Sequence, residues 1–485
     1  MKNLKMRSLC ALMALVMLLS GLFALVSCGV TDENKEKSTE ISTNDETKES
    51  SAYASLEKEK FNREFIVMSR EDMKDEYEVE KITGEILNDL LYERNSVVSE
   101  DFGVTIKVVD GGDYGAVNNE LIRQVTSDGD DYDVYTGHKV AFMNCVPENY
   151  LYDLNKITSM NLSAPYWDQA CRENLALMGH NFMMTGDIDP ASMQISACFV
   201  FNKKMNTELG KTAPYELVDN GQWTLDNYLK QIEDVSMDLN NDGVMSADYD
   251  RFSTTIWSLD GGFSMFYGAG GNYVTVSDEG IPELTYNSER VISIYEKLYN
   301  IIVTENAFWL SVADINSYGV NYDLFTEGRA LYCDITLSKI SSFLADMTED
   351  YGIVPVPKYD EAQPEYLSFV NGASPFVMLA QTEKDPEFVG TVLEAMAAYN
   401  YDNITPKMFE IVTKLQSARD PDSSRMVDYI IRNRVYDFGY FIELDITNSV
   451  MNGISAKKES IASELKGKAR QAEKKLERLI NDFDD

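Results

Sequence analysis

The chain has 485 residues, a formal net charge of −37 at pH 7 and only two histidines. So negative a molecule repels the phosphates of nucleic acids and anionic lipid headgroups, which excludes both as partners and favours a neutral or cationic ligand. His138 and His180 have no Cys or His nearby at zinc-binding spacing, which argues against a zinc hydrolase.

The N-terminus has the order of a secretory signal. Three basic residues precede an apolar run over 9–25, and small residues then lead to Cys28. A cysteine directly after such a cleavage site resembles a bacterial lipobox, in which the thiol is lipidated and becomes the mature N-terminus. A membrane span over 9–25 is the alternative, although its 17 residues are at the short limit for a bilayer. We predict a signal peptide over residues 1–27 and lipidation of Cys28.

Residues 28–60 are predicted to form a lipid anchor and a flexible polar tether. From 29 to 51 no aromatic residue occurs and Asp, Glu, Lys, Ser, Thr and Asn dominate. Such a stretch cannot bury enough apolar surface to offset the entropy lost on ordering. We therefore expect a monomer on the extracellular face of the bacterial cell membrane, in contact with the membrane through the lipid anchor alone.

The folded part begins with alternating strands and helices. The predicted strands are 63–68, 104–109 and 133–135, and the predicted helices are 84–100 and 117–125. This order favours parallel pairing with right-handed crossovers. Ligands of such sheets bind beyond the carboxyl ends of the strands, which makes Arg70 and His138 candidate ligand-binding residues.

Eight short stretches carry a resemblance to a known family. In chain order they are LYERN (91–95), FGVTI (102–106), YLYDLN (150–155), APYWD (164–168), FVFNK (199–203), WTLD (223–226), FTEGRAL (325–331) and YGIVPVPK (351–358). Together they resemble the extracellular solute-binding proteins of bacterial ABC importers, in the maltose-binding-protein-like group (solute-binding family 1). Each stretch is weak alone, and the ordered set covers the chain from about residue 61 to 440.

The resemblance implies an α/β protein with the periplasmic-binding-protein type II fold, in which two lobes joined by a hinge enclose a central ligand cleft. From the pattern we place crossings between lobes near Gln194 and Asn371 and a return near Gln416. The predicted lobes are 61–193 with 372–415 and 194–371 with 416–485. Apolar residues at helical spacing predict a C-terminal helix on lobe 2.

The resemblance also implies binding without catalysis. The protein would capture a solute by hinge closure and deliver it to the transmembrane subunits of an ABC permease. No nucleophile elbow, Walker loop or dinucleotide fingerprint occurs, and the acid pair Asp187 and Asp189 is one of many in a chain with 80 acidic residues. The alternatives are a ligand-binding partner of a membrane sensor and a surface adhesin.

The composition favours a carbohydrate, in particular an oligosaccharide, as the solute. Sugars are neutral, present C–H faces to aromatic rings and pair their hydroxyls with Asp, Asn and Glu. Maltodextrin itself is disfavoured, because the tryptophan that the best-known family member has near the stretch corresponding to 333–336 is absent here. Peptides and polyamines remain open.

Ten residues are candidates for ligand contact. They follow strands, lie at the presumed crossings, stand beside Gly-rich loops, or occupy the ligand-facing loop that the resemblance implies. They are Arg70, His138, Asp187, Trp257, Tyr267, Asn272, Trp309, Asp334, Thr336 and Asn371. The chain has 53 aromatic residues, so most of its aromatic side chains must be structural.

One loop matches the first half of an EF-hand-like calcium loop, with Gly243 in sixth place and Tyr249 where the bidentate acid belongs. The predicted ligands of a structural Ca²⁺ are Asp238, Asn240, Asp242, Val244, Asp248 and Asp250. The alternative is a solvated Asx-rich turn. No cofactor is expected to be required.

Four cysteines remain once the leader is removed and Cys28 is lipidated. They are Cys145, Cys171, Cys198 and Cys333, and their spacing has neither a CxxC pair nor a compact disulfide framework. Export permits disulfides, but we expect these side chains to be small buried hydrophobes.

Overall fold

The structure is a computed structural model, and it describes residues 51–317, 319–417 and 421–483. The predicted signal peptide, the lipidation site Cys28 and nearly all of the non-aromatic tether lie outside the described residues. Within the described part, no helix has the length and apolar character needed to cross a membrane.

Two sheets, each covered by helices, organise the described chain. The strands are β1 (Arg63–Ser69), β2 (Val104–Asp110), β3 (Val134–Gly137), β4 (Ala197–Asn202), β5 (Phe252–Trp257), β6 (Val274–Val276), β7 (Pro282–Leu284), β8 (Phe308–Leu310), β9 (Ala330–Thr336), β10 (Tyr351–Val354), β11 (Ser368–Phe369), β12 (Phe376–Met378) and β13 (Arg434–Val435).

Helices occur between the strands through most of the described residues. They are α1 (Ile86–Phe102), α2 (Tyr114–Thr126), α3 (Lys139–Cys145), α4 (Gln169–Asn174), α5 (Lys203–Glu208), α6 (Pro214–Asp219), α7 (Leu225–Ile232), α8 (Phe263–Gly268), α9 (Glu289–Tyr299), α10 (Val320–Thr326), α11 (Leu337–Phe343), α12 (Pro386–Asn403), α13 (Thr405–Ser417), α14 (Pro421–Arg432), α15 (Phe438–Phe441), α16 (Ser449–Ser455) and α17 (Ala462–Asn481). Two π-helical turns, Ser258–Gly262 and Asn300–Thr304, and several short 3-10 turns complete the set.

The first sheet has the strand order β12-β3-β1-β2. β1 pairs in parallel with β2 and with β3, as the alternating pattern predicted, and β12 runs antiparallel to β3. Phe65 lies opposite Ile106 and Val67 opposite Val108, so apolar side chains share one face of the sheet. We call this sheet and the helices packed on it lobe 1.

The second sheet has the order β10-β4-β9-β5-β8 and defines lobe 2. β5 is parallel to β8 and β9, whereas β4 is antiparallel to β9 and β10. Mixed sheets with helices on their faces make the chain an α/β protein, which confirms the predicted fold class.

Short polar caps set where the helices begin. The carboxylate of Glu85 accepts hydrogen bonds from the first free amides of α1, and Asp113 does the same for α2. Helix α1 ends at Gly103, whose φ of 63° suits glycine. Thr224 caps α7 by accepting a hydrogen bond from the amide of Asn227 at 3.2 Å.

Two described segments lead from one sheet towards the other. The turn Pro190–Ile195 leads into β4, and β11 leads through residues 370–375 into β12. Helix α14 packs on β10 of lobe 2. β11 also pairs in parallel with β13, which places the start of the segment 370–375 beside the stretch between α14 and α15. The lobe boundaries themselves stay predictions.

The predicted C-terminal helix is α17. Its buried residues, Leu465, Ala469, Ala472, Leu476 and Leu479, repeat at helical spacing. Beyond its end, the ring of Phe483 packs on Phe182 at 5.3 Å, so the C-terminus also reaches a segment that we expected in lobe 1.

All four cysteines in the described residues are buried and free. This confirms that they act as small hydrophobic side chains.

Candidate ligand-binding cleft

The carboxyl ends of β1 and β3 bring Arg70 next to the start of α3. The backbone amide of Arg70 donates to Oγ1 of Thr136 at 2.9 Å, and its guanidinium donates to the carbonyl of Gly137 at 3.2 Å. The same guanidinium pairs with both carboxylate oxygens of Asp72 and donates to the carbonyl of Ala373 at 3.0 Å. Arg70 is 4% exposed, so this side chain ties lobe 1 to the segment entering β12.

His138 and Tyr114 form a stacked pair at the same edge of lobe 1. Their ring centroids are 4.5 Å apart with an interplanar angle of 21°. Burial, with Arg70 and Lys139 nearby, lowers the pKa of His138 to about 3, so the imidazole is neutral at physiological pH and accepts the amide of Val140 at Nδ1. Tyr114 is 50% exposed and offers a ring face to the solvent.

Lobe 2 presents a second aromatic group at the end of β5. Trp257 precedes the π-helical turn Ser258–Gly262, which carries Asp260. The ammonium of Lys339, on α11, donates to Oδ2 of Asp260 at 2.6 Å and lies 5.3 Å from the centre of a Trp257 ring. An aromatic face, a carboxylate and an ammonium group therefore meet at the carboxyl edge of the second sheet.

Asp334 lies beneath this turn on the neighbouring strand β9. Its Oδ1 accepts the backbone N–H of Trp257 at 2.8 Å, and the residue is 2% exposed. Burial, reinforced by the charge of Asp260, raises the pKa of Asp334 to about 7.

The crossing at Asn371 contacts both lobes. Its Nδ2 donates to Oδ1 of Asp260 at 3.1 Å on the lobe 2 side. On the lobe 1 side, the carbonyl of Gly372 accepts the amide of Lys139 at 3.0 Å, and the carbonyl of Ala373 accepts from Arg70. The ends of both sheets therefore meet around one short segment.

Five of the ten predicted residues are gathered around that segment or at the sheet ends beside it, namely Arg70, His138, Trp257, Asp334 and Asn371. Three groups that the sequence reasoning missed join them: Tyr114, Asp260 and Lys339. Tyr114 had a detectable signal, since it opens a helix directly after a strand. Lys339 had none, because its place beside Trp257 depends on the packing of α11.

The structure does not support the predicted ligand contact of Tyr267. The sequence suggested a ligand platform beside a flexible loop, but Tyr267 belongs to α8 and is 2% exposed. Its ring stacks on Phe369 at 4.4 Å and meets Phe263 and Tyr440 at 6.0 and 6.3 Å. An interior aromatic cluster therefore occupies its faces, and no face is left for a ligand.

The other four predicted residues hydrogen-bond to partners outside the crossing. Asp187 accepts a hydrogen bond from Thr405 at 2.6 Å, and burial raises its pKa to about 6. The carbonyl of Asn272 accepts from Thr285, and the indole N–H of Trp309 donates to Ser455 at 2.9 Å. Thr336 is 3% exposed and its hydroxyl bonds to Ser338. Each of these side chains or carbonyls thus has a local structural partner.

The calcium-like loop has the contacts of an Asx-rich turn. The carboxylate of Asp238 accepts the amides of Asn241 and Gly243 at 2.7 and 2.8 Å, and Asp250 accepts the amides of Leu239 and Ser246 at 2.9 and 2.7 Å. Across the described residues, no group of three or more His, Cys, Asp or Glu side chains is placed to hold a metal ion. Calcium binding at the predicted ligands stays a prediction.

The fold is similar to those of solved binding proteins. An ABC substrate-binding protein of Listeria monocytogenes in complex with cycloalternan is 14% identical with a TM-score of 0.53, over 86% of this chain and 99% of that one. An ABC transporter solute-binding protein of Thermotoga lettingae bound with α-D-tagatose is 13% identical with a TM-score of 0.52, over 86% and 100%. UgpB of Mycobacterium tuberculosis in complex with glycerophosphocholine is 13% identical with a TM-score of 0.50, over 87% and 98%.

No protein-family model and no curated protein matches the sequence. The structural similarity nevertheless covers most of this chain and nearly all of each of those three proteins. The chain therefore has the two-lobed type II fold of the solute-binding proteins of ABC importers, as its ordered motifs predicted.

Proposed function

We propose that this protein is an extracellular solute-binding protein that captures a small solute between its lobes and presents it to the transmembrane subunits of an ABC permease. The observation that carries the proposal is the crossing at 371–373, which is hydrogen-bonded to both lobes at the carboxyl ends of their sheets. In α/β proteins, ligands bind beyond the carboxyl ends of the strands. The charged side chains Arg70, Asp260 and Lys339 around this segment are held in ion pairs, which suits recognition by shape and stacking better than bond making.

A carbohydrate is the proposed solute class. The stacked pair of His138 and Tyr114 on one lobe and Trp257 on the other provide aromatic rings on two sides, and Asp260 and Lys339 provide groups for hydroxyls. The similar proteins with cycloalternan and tagatose bind sugars. A cationic solute is the second candidate, because Asp260 lies at the lobe 2 edge and the chain carries a net charge of −37.

Anchoring through a lipidated Cys28 is part of the proposal and is supported by the sequence. The described chain begins at Ser51, whose hydroxyl donates to Asp402 on α12 at 2.6 Å, and the amide of Tyr53 donates to the same carboxylate at 2.9 Å. The tether would therefore leave the folded body at α12.

A thermal-shift screen against mono- and oligosaccharides, with polyamines and peptides included, tests the proposal. A solute at a hundredfold its dissociation constant stabilises the folded protein by about 2.7 kcal/mol, which raises the melting temperature by several degrees. A sugar hit supports the carbohydrate assignment, and a polyamine or peptide hit replaces it. If no compound of a broad panel raises the melting temperature, the result would contradict a solute-binding role.

A further inference from the structure

The turn after β5 has an unusual backbone geometry. Residues Ser258–Gly262 adopt π-helical geometry, which is rare and recurs at functional sites. The turn carries Asp260 and follows Trp257, the two β5-side groups placed beside the crossing. The residues that pack beneath the turn therefore set the positions of Trp257 and Asp260.

Asp334 provides this support from the neighbouring strand. Its Oδ1 accepts the N–H of Trp257 at 2.8 Å, at the entry to the turn. A Cβ built on Gly261 would lie 2.5 Å from Cβ and Cγ of Asp334, closer than any side chain tolerates. The carboxyl group thus fills the space under the turn, which explains why residue 261 has no side chain.

Gly262, on the other side of the turn, also has no room for a side chain. A Cβ there would lie 2.8 Å from Sδ of Met451 and 2.8 Å from the ring of Trp309. The Gly261–Gly262 pair is therefore tightly packed on both sides of the turn.

We propose that Asp334 is a positioning residue of the cleft, which holds Trp257 and Asp260 in place from beneath the turn and does not itself contact the solute. The proposal rests on the proposed function for the roles of Trp257 and Asp260, and it replaces the ligand contact expected of Asp334 from the sequence. A carboxyl group enclosed by β9 and the turn reaches a solute only if the turn moves away.

The charge of Asp334 is sensitive to its surroundings. Burial and the nearby Asp260 raise its pKa to about 7, against the N–H of Trp257 and the ammonium of Lys339. The other titratable groups facing it are Tyr322 on α10, Cys333 on β9, Cys198 on β4 and Tyr228 on α7, and burial raises the pKa of each of these. An ionised carboxylate accepts a hydrogen bond more strongly than a neutral carboxyl group. The hydrogen bond from the N–H of Trp257 therefore becomes stronger as Asp334 loses its proton.

Trp257 fluorescence tests the proposal without any ligand. The emission of the wild-type chain minus that of Trp257→Phe isolates this ring from the other three tryptophans. We expect the difference emission to titrate with a midpoint near pH 7 and to become flat in Asp334→Asn measured against the double variant Asp334→Asn/Trp257→Phe. Asp260→Asn should lower the midpoint, because removing a like charge eases ionisation of Asp334. Difference emission that has the same spectrum and the same pH dependence in Asp334→Asn as in the wild type overturns the proposal.

Gly261→Ala approaches the same contact from the turn and serves if Asp334→Asn does not fold. The added Cβ should push the turn off the carboxyl group, shift the midpoint and raise iodide quenching of Trp257 at least twofold, with a far-UV circular dichroism spectrum like that of the wild type. Unchanged quenching and midpoint overturn the proposal. Since no solute is used, failure here is distinct from failure of the solute screen, which bears on the proposed function alone.

Discussion

Asn371 donates a hydrogen bond from its side-chain amide to Oδ1 of Asp260 at 3.1 Å, across the crossing between the lobes. Two residues further on, the carbonyl of Ala373 accepts from the buried guanidinium of Arg70. A rotation of one lobe against the other must therefore change either one of these bonds or the backbone torsions of residues 371–373. The same short segment links hinge motion to both walls of the cleft.

Removing an aromatic face should weaken solute binding without unfolding the chain. We expect Tyr114→Ala and Trp257→Ala to lower the affinity for the solute found by screening about tenfold or more, roughly 1.4 kcal/mol, because each loses a stacking surface. Isothermal titration calorimetry measures the change. Tyr249→Ala is the matched control, since Tyr249 is 62% exposed on the calcium-like loop, and it should leave affinity unchanged. Wild-type affinity in both cleft variants would contradict this placement of the site.

Stability should fall as pH rises, because of a buried acidic cluster beneath the first crossing. Burial and then Asp189 raise the pKa of Glu76 to about 8, and burial raises that of Asp189 to about 6, with Arg94 opposing both shifts. Between the unfolded value of 4.5 and about 8, the folded chain keeps the proton on Glu76 and the unfolded chain releases it. Stability from this group is therefore full at low pH and is lost progressively as pH rises, by up to about 1.4 kcal/mol per unit.

The variant Glu76→Gln removes this titration. Urea unfolding at pH 5 and pH 8 should show a smaller loss of stability than in the wild type, with the variant the more stable protein at pH 8 by about 1 kcal/mol or more. Glu78→Gln, an exposed neighbour, is the control and should keep the wild-type slope. Equal slopes in all three proteins would show that Glu76 is not protonated in the fold.

If the calcium-like loop is the Asx-rich turn that its contacts match, chelation should leave the melting temperature unchanged. The carboxylates of the calcium-like loop already accept backbone amides, so the turn needs no ion to hold its shape. Asp238→Ala should lower stability by about 1 kcal/mol in EDTA, because the amides of Asn241 and Gly243 lose their acceptor. Differential scanning calorimetry with EDTA and with millimolar Ca²⁺ checks both points. A melt that rises with Ca²⁺ would instead support the structural calcium site.

Cys28→Ala should release the protein from the membrane. Without the thiol no lipid is attached, and the polar tether has no other hold on a bilayer. Fractionation of cells expressing each form should find the wild type in the membrane and the variant in the medium or retained with its leader. Mass spectrometry of the N-terminal peptide identifies the acyl chains on the wild type. Membrane retention of a variant whose leader has been cleaved would refute a lipid anchor.

Much of the fold could be predicted because short-range sequence patterns specify its strands and helices. The strands and helices of the first α/β units were placed within a few residues, since hydrophobic periodicity, caps and glycine ends act over one element. Tyr267 was misplaced for the same reason. Glycines and aromatics in a row look alike in a flexible loop and at the buried end of a helix, and only the packing of Phe369 and Tyr440 distinguishes them.

The sequence by itself determined the charge, the alternation of strands and helices, and through its ordered motifs the two-lobed fold. Tertiary structure decided which side chains share the cleft. Lys339 meets Asp260 across 79 residues of chain, and Asn371 meets it across 111. Such pairs depend on the stacking of whole elements, which leaves no periodic trace in the sequence. The position of a ligand contact therefore follows only once the sheets, crossings and turns are assembled.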